Sequence, residues 1–207
     1  MELLLIRHGL PVRRELSEGI ADPELAEAGV AQAHHLAEYL AGEPLDAVYS
    51  SPLRRARQTA QPLADLKGLA VQIVDDVAEA DRDSSEYIPI EELKAANDPR
   101  WQAMLRGEHS WGEESPEEFH QRVVGAVERL VEANPGRRIA VCCHGGVINM
   151  YLCHVFGLAP NHALIYPNYT SIHRVAASRG GHRSVVTVNE TAHLRGTGLP
   201  MGLVQSS

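Results

Sequence analysis

Two short apolar runs end in the same way. Leu3-Leu4-Leu5-Ile6 stops on Arg7-His8-Gly9, and Ile139-Ala140-Val141-Cys142-Cys143 stops on His144-Gly145-Gly146. A neutral imidazole can attack phosphorus in line and carry the phosphoryl group, which splits a hard hydrolysis into two easier steps. A guanidinium offers a planar fork of donors matched to phosphate oxygens. Phosphoryl transfer asks for a nucleophile, cations on the equatorial oxygens, a proton for the leaving oxygen and exclusion of stray water. His8 is the first choice of nucleophile and Arg7 a ligand for the oxygens. His144, once protonated, would add positive charge from the far side. The backbone N–H of Gly145 opens a helix and would help to bind an anion.

Several elements must position these groups. Runs of four or five apolar residues read as strands buried on both faces, as in a parallel sheet. Ligands bind at the carboxyl edge of such sheets, which is where both His-Gly pairs fall. Ala47-Val48-Tyr49 is a third such run, within a strand expected over 45–49. It leads into Ser50-Ser51-Pro52-Leu53-Arg54-Arg55-Ala56-Arg57-Gln58-Thr59-Ala60, read as a helix with serines at the cap and a proline in its first turn. Of its three arginines, one can point back over the strand end while the others stay solvated. A helix over roughly 27–41 carries Val30, Ala33, Leu36, Ala37 and Leu40 at helical spacing, with Gly42 as its C-cap. Ser115-Pro116-Glu117-Glu118 is a capping box that starts a long helix. A helix from Gly145 to Phe156 and a hairpin turning at Gly180-Gly181 follow. Strands alternate with helices, so the expected fold is α/β, a three-layer α/β/α sandwich on a mainly parallel sheet. Residues 1–195 read as one domain, with a lid-like insertion at about 82–115 that holds Tyr87, Trp101, Met104, His109 and Trp111. Residues 196–207 read as a flexible tail.

Composition narrows the classes. The chain has 207 residues and a net charge of −8, which argues against nucleic acid as a partner. No apolar run approaches the roughly 20 residues that cross a bilayer, and the first residues lack the features of a signal peptide, so a cytoplasmic protein without membrane partners is expected. An exposed sheet edge would allow a homodimer. Three cysteines make no disulfide framework and read as small core residues; Cys143, beside His144, is the one alternative nucleophile. No histidine or cysteine pair has zinc spacing, and the adjacent His34-His35 point apart on a helix. Neither a metal nor another cofactor is needed, because arginines supply the positive charge.

These residues resemble the histidine phosphatase superfamily, the phosphoglycerate-mutase-like family. The resemblance rests on Arg7-His8-Gly9, on Ser51-Pro52-Leu53-Arg54-Arg55-Ala56 with Gln58-Thr59-Ala60, on Glu79 and on His144-Gly145-Gly146, with Leu25, Gly29 and Gln32-Ala33 matching as well. It implies His8 as nucleophile, Arg7 and Arg55 as phosphate ligands, His144 as the second pocket histidine, and Glu79 as general acid and then base. Asp76, Asp81 and Glu86 are rivals for the acid's place. It implies a phosphoric monoester hydrolase of the histidine acid phosphatase type, acting on a small phosphorylated metabolite. The sugar-acid mutases of the family carry Ser and Asn shortly after Arg-His-Gly, where this chain has Leu10-Pro11-Val12-Arg13. That departure and the short insertion favour the phosphatase branch over a mutase. A binding module with weak catalysis is the alternative of another class. Arg13 and Arg14 are open to contact with a second anionic group.

Overall fold

The computed structural model describes residues 1–106 and 114–203. In chain order its strands and helices are β1 (Glu2–Arg7), β2 (Arg14–Glu15), α1 (Glu27–Tyr39), β3 (Ala47–Ser50), α2 (Arg54–Lys67), β4 (Val71–Ile73), β5 (Glu86–Tyr87), α3 (Ile90–Ala95), α4 (Pro99–Leu105), α5 (Pro116–Ala133), β6 (Arg138–Cys143), α6 (Gly145–Phe156), β7 (Ile172–Ala177) and β8 (Arg183–Glu190).

Six strands form the central sheet in the order β4-β3-β6-β1-β7-β8. The first four are mutually parallel, and β7 and β8 add antiparallel at one side. β1 and β6 lie side by side in register, Leu3 opposite Ile139 and Arg7 opposite Cys143. The two His-Gly pairs therefore leave the sheet next to each other.

Alternation along a strand sends successive side chains to opposite faces. Leu3 and Leu5 of β1, with Ile139, Val141 and Cys143 of β6, join one core with Phe119, Val123 and Val127 of α5 and Ile148 and Leu152 of α6. Leu4 and Ile6, with Ala140 and Cys142, join a second core with Leu36 and Ala37 of α1 and Ala60 and Leu63 of α2. A sheet apolar on both faces and covered on both is the three-layer α/β arrangement that the sequence predicts.

Two caps and one face differ from expectation. α1 is closed at Leu40, not Gly42, and Val30 is 43% exposed. The chain past α1 is held from outside, because Lys67 Nζ donates to the carbonyls of Ala41 and Glu43. The N-cap of α2 is Leu53, not a serine, and the carboxylate of Asp22 accepts the Arg54 N–H at 2.8 Å. This frees Ser51 for another contact. The capping box at Ser115 and Glu118 forms as read.

Within the segment 82–115, β5 pairs antiparallel with β2, and α3 and α4 follow. His109 and Trp111 lie outside the described residues. Beyond residue 195, the Pro200 carbonyl accepts from Gln32 Nε2 and the Met201 carbonyl accepts from Tyr169 N–H, so this segment is tied to the body at both points.

Candidate active site

The loop after β1 is shaped by a close backbone crossing. A Cβ on Gly9 would lie 2.6 Å from the Gly29 carbonyl oxygen, and one on Gly29 would lie 2.1 Å from that of Leu10. Gly9 thus serves the approach of α1 rather than that of a ligand. Gln32 accepts the Leu10 N–H at 2.8 Å, and Thr59 Oγ1 accepts the Gly9 N–H at 2.9 Å while donating to the Arg55 carbonyl. The glycines, Gln32 and Thr59 are the frame that holds His8.

His8 is buried. Its Nδ1 lies 2.7 Å from its neighbour's carbonyl, that of Gly9. A carbonyl only accepts, so Nδ1 carries the proton and Nε2 keeps its lone pair. Burial, and then the charges of Arg55 and Arg7, hold the His8 pKa well below its ordinary value. His8 is therefore neutral, with an unprotonated Nε2, the form a nucleophile needs.

Arg7 and Arg55 flank it, 8% and 1% exposed. Arg7 Nη1 donates to the Pro167 carbonyl at 2.7 Å, and its guanidinium lies 4.3 Å from the centre of the Tyr169 ring. Arg55 pairs with Asp81 at 3.0 Å and lies 4.6 Å from the centre of the Tyr87 ring. Burial opposes the Arg55 charge, but Asp81, Tyr87 and Glu79 together outweigh it and the pKa is raised. The Nε atoms of both arginines, and Nδ1 of His144, are buried with no hydrogen-bond partner among the described residues. Unpaired buried donors are costly, and the two arginine Nε–H groups on either side of His8, with a ring nitrogen of His144 near them, make a site for an oxyanion. Arg54 and Arg57 are exposed on the outer side of α2.

His144 is fully buried, its ring centre 5.2 Å from that of His8. Its Nε2 meets Ser51 Oγ at 2.7 Å. Burial first, then Arg55, His8 and Arg7, hold its pKa well below the ordinary value. Burial and the neighbouring positive charges both disfavour the protonated form in which His144 would add charge.

Glu79 follows a 3₁₀ turn at Asp75–Val77 and reaches the start of α6, where its carboxylate accepts the N–H groups of Gly146 (2.8 Å) and Ala80 (3.0 Å). A Cβ on Gly146 would lie 2.3 Å from Glu79 Oε1, so this contact needs a glycine. Burial and then the Asp81 charge raise the Glu79 pKa, against the two N–H bonds and Arg55. Among the rivals, Asp81 is committed to Arg55, Glu86 to Arg100, and Asp76 to exposed Arg129. Gly145 lines the same cavity as Arg7, His8, Arg55 and Glu79.

Arg13 pairs with Glu15 and Glu92, and Arg14 with Glu24. Burial raises the Cys143 thiol pKa well above its ordinary value, so no nucleophilic thiolate forms there. Among the described residues no group of three His, Cys, Asp or Glu side chains is arranged to hold a metal ion. No helix among them is long and apolar enough to cross a membrane. Tyr87 of the expected lid stands beside Arg55, while Tyr166, Pro167 and Tyr169 around Arg7 carry no signal in the sequence because they sit in a segment without periodicity. Ser51, read in the sequence as a cap and as part of the family's motif, faces His144 in the fold.

Comparison with known proteins agrees with this geometry. The profile of the histidine phosphatase superfamily (branch 1) matches residues 3–191, and the chain belongs to that superfamily. It is an enzyme of phosphomonoester hydrolysis through a phosphohistidine. Phosphoserine phosphatase 1 of Hydrogenobacter thermophilus is 30% identical over 165 residues, 76% of this chain and 77% of that protein. Phosphoglycerate mutase-like protein 4 of Arabidopsis thaliana is 34% identical over 161 residues, 71% of this chain and 67% of that protein. The crystal structure of a phosphoserine phosphatase mutant from Entamoeba histolytica with phosphoserine bound superposes with a TM-score of 0.74 at 25% identity, covering 93% of this chain and 98% of that one.

Proposed function

We propose that His8 Nε2 attacks the phosphorus of a small phosphomonoester in line, with Arg7 and Arg55 on the non-bridging oxygens. One observation carries this reading: a buried, neutral histidine with its Nδ1 proton on the Gly9 carbonyl lies between two arginines whose Nε atoms are unpaired. Ser51 Oγ accepts the Leu53 N–H; with its own hydrogen given to His144 Nε2, the proton of His144 stands on Nδ1 as a third donor. The Gly145 N–H at the start of α6 adds a fourth.

Glu79 supplies the leaving oxygen's proton as the P–O bond breaks and the P–Nε2 bond forms. It then takes a proton from the water that attacks the phosphohistidine, releasing inorganic phosphate and restoring His8. The raised pKa of Glu79 supports the acid role, and an optimum on the acid side of neutrality follows from it. This is the basis for assigning the enzyme to the acid phosphatase type. Residues 1–195 are read as one catalytic domain and residues 82–115 as the wall over the substrate. Three buried free cysteines suit a reducing cytoplasm.

The test is hydrolysis of an aryl phosphate, with a chelator present, by wild type and by His8→Ala. Activity that withstands the chelator and falls by at least about 10³-fold in His8→Ala is expected. Comparable turnover in His8→Ala would remove His8 from the chemistry. Enzyme denatured in alkali during turnover should also carry acid-labile phosphate on nitrogen in wild type alone.

A further inference from the structure

The phosphate end occupies only part of its cavity, whose volume is about 710 Å³. That is within the range of roughly 300–1,000 Å³ for sites that enclose drug-sized ligands, far more than a phosphate needs. The remaining wall holds Ile88, Leu93, Trp101, Met104, Leu164 and Ile165.

Its charged groups beyond the phosphate end, and the amide of Asn149, are already committed. Arg100 is the one cation lining the cavity beyond Arg7 and Arg55 among the described residues, and it is shared between Asp98 at 2.8 Å and Glu86 at 2.6 Å. Asn149 donates to the carbonyls of His162 and Ile165 and accepts the Ile165 N–H. His162 stacks on Phe119 with ring centres 5.3 Å apart, and burial lowers its pKa. Residues 107–113, which connect α4 to α5, contain no lysine or arginine. Three carboxylates, those of Glu79, Asp81 and Glu86, also line the space. An anionic group on the substrate's alcohol would meet apolar side chains, and among the described residues no cation in this part of the cavity is free of a carboxylate partner.

Resting on the phosphatase reading, we infer that the leaving-group pocket takes an uncharged, largely apolar alcohol and rejects a carboxylate-bearing one. This separates the chain from the Entamoeba enzyme, whose bound ligand, phosphoserine, carries a carboxylate. The substrate class is the phosphomonoester of an aryl-, benzyl- or alkyl-substituted alcohol.

The experiment compares benzyl phosphate with its para-carboxylate, two esters alike in size and leaving group, using the wild-type chain. O-phosphoserine and 3-phosphoglycerate are added as natural carboxylate esters. The expected result is a kcat/KM for benzyl phosphate at least about tenfold above each carboxylate ester, with the para-carboxylate deficit mainly in KM. Equal or better use of any carboxylate ester would overturn the pocket assignment while leaving the phosphatase reading standing. No hydrolysis of any of the four by folded protein would overturn both.

Discussion

Proton placement decides what each side chain can do. His8 has its pKa lowered by burial and by Arg55 and Arg7, so its rate contribution is lost only as pH falls far enough to protonate it. Glu79 has its pKa raised by burial and Asp81, so its proton is lost as pH rises through that higher value. The two limits bound a window of activity, acid limb from His8 and alkaline limb from Glu79. Replacing Glu79 with Gln should lower kcat by about 10²–10⁴-fold for alkyl esters and abolish the alkaline limb, as read from a pH–rate profile. A profile of unchanged shape would assign the proton transfer to another group.

At the scale of elements, two glycines test two different functions of the same residue type. Gly146 in the first turn of α6 faces the end of the flexible Glu79 side chain, whereas Gly29 in α1 faces the Leu10 backbone. A side chain tip can swing away, but a backbone crossing cannot. Gly146→Ala should therefore keep most of the stability and lose at least about tenfold in kcat, because Glu79 is displaced from its place. Gly29→Ala should lower unfolding free energy by about 1–3 kcal/mol from the overpacked crossing. Urea titration and steady-state kinetics on the pair separate the two cases; equal stability losses would contradict the assignment. α2 shows the same dependence on its surroundings: Asp22 caps it from a distant loop, and that leaves Ser51 to face His144.

The whole molecule buries several histidines in neutral form, and acid pH acts on all of them. Burial lowers the His173 pKa to about 3 and that of His193 to about 4, and holds those of His8 and His144 well below the ordinary value. Below pH about 6.5 the unfolded chain takes up protons that these folded residues refuse, so stability falls as pH falls. Each such group contributes a slope of about 1.4 kcal/mol per pH unit between the two pKa values. In His173→Gln, the slope of unfolding free energy between pH 6 and 4.5 should be shallower by about that amount, measured by denaturant titration; an unchanged slope would mean that His173 titrates normally in the fold.

The sequence by itself determined the layers and the core chemistry. Continuous apolar runs, the helical spacing of Leu36, Ala37 and Leu40, and the His-Gly endings are local features, and local features survive in any α/β sheet of this order. His8, Arg7, Arg55, Glu79 and His144 could be marked from strand ends and from the family's pattern. What only the tertiary structure decided depends on neighbours distant in the chain. The His144 pKa is lowered by burial first and then by Arg55, His8 and Arg7 packed around it. Asp22 meets the start of α2 and Lys67 holds the chain past α1, and the arginines are framed by Tyr87, Pro167 and Tyr169 from other parts of the chain. Charge state and substrate room are properties of three-dimensional proximity, where burial and partner charges outweigh the intrinsic preferences that a linear sequence displays.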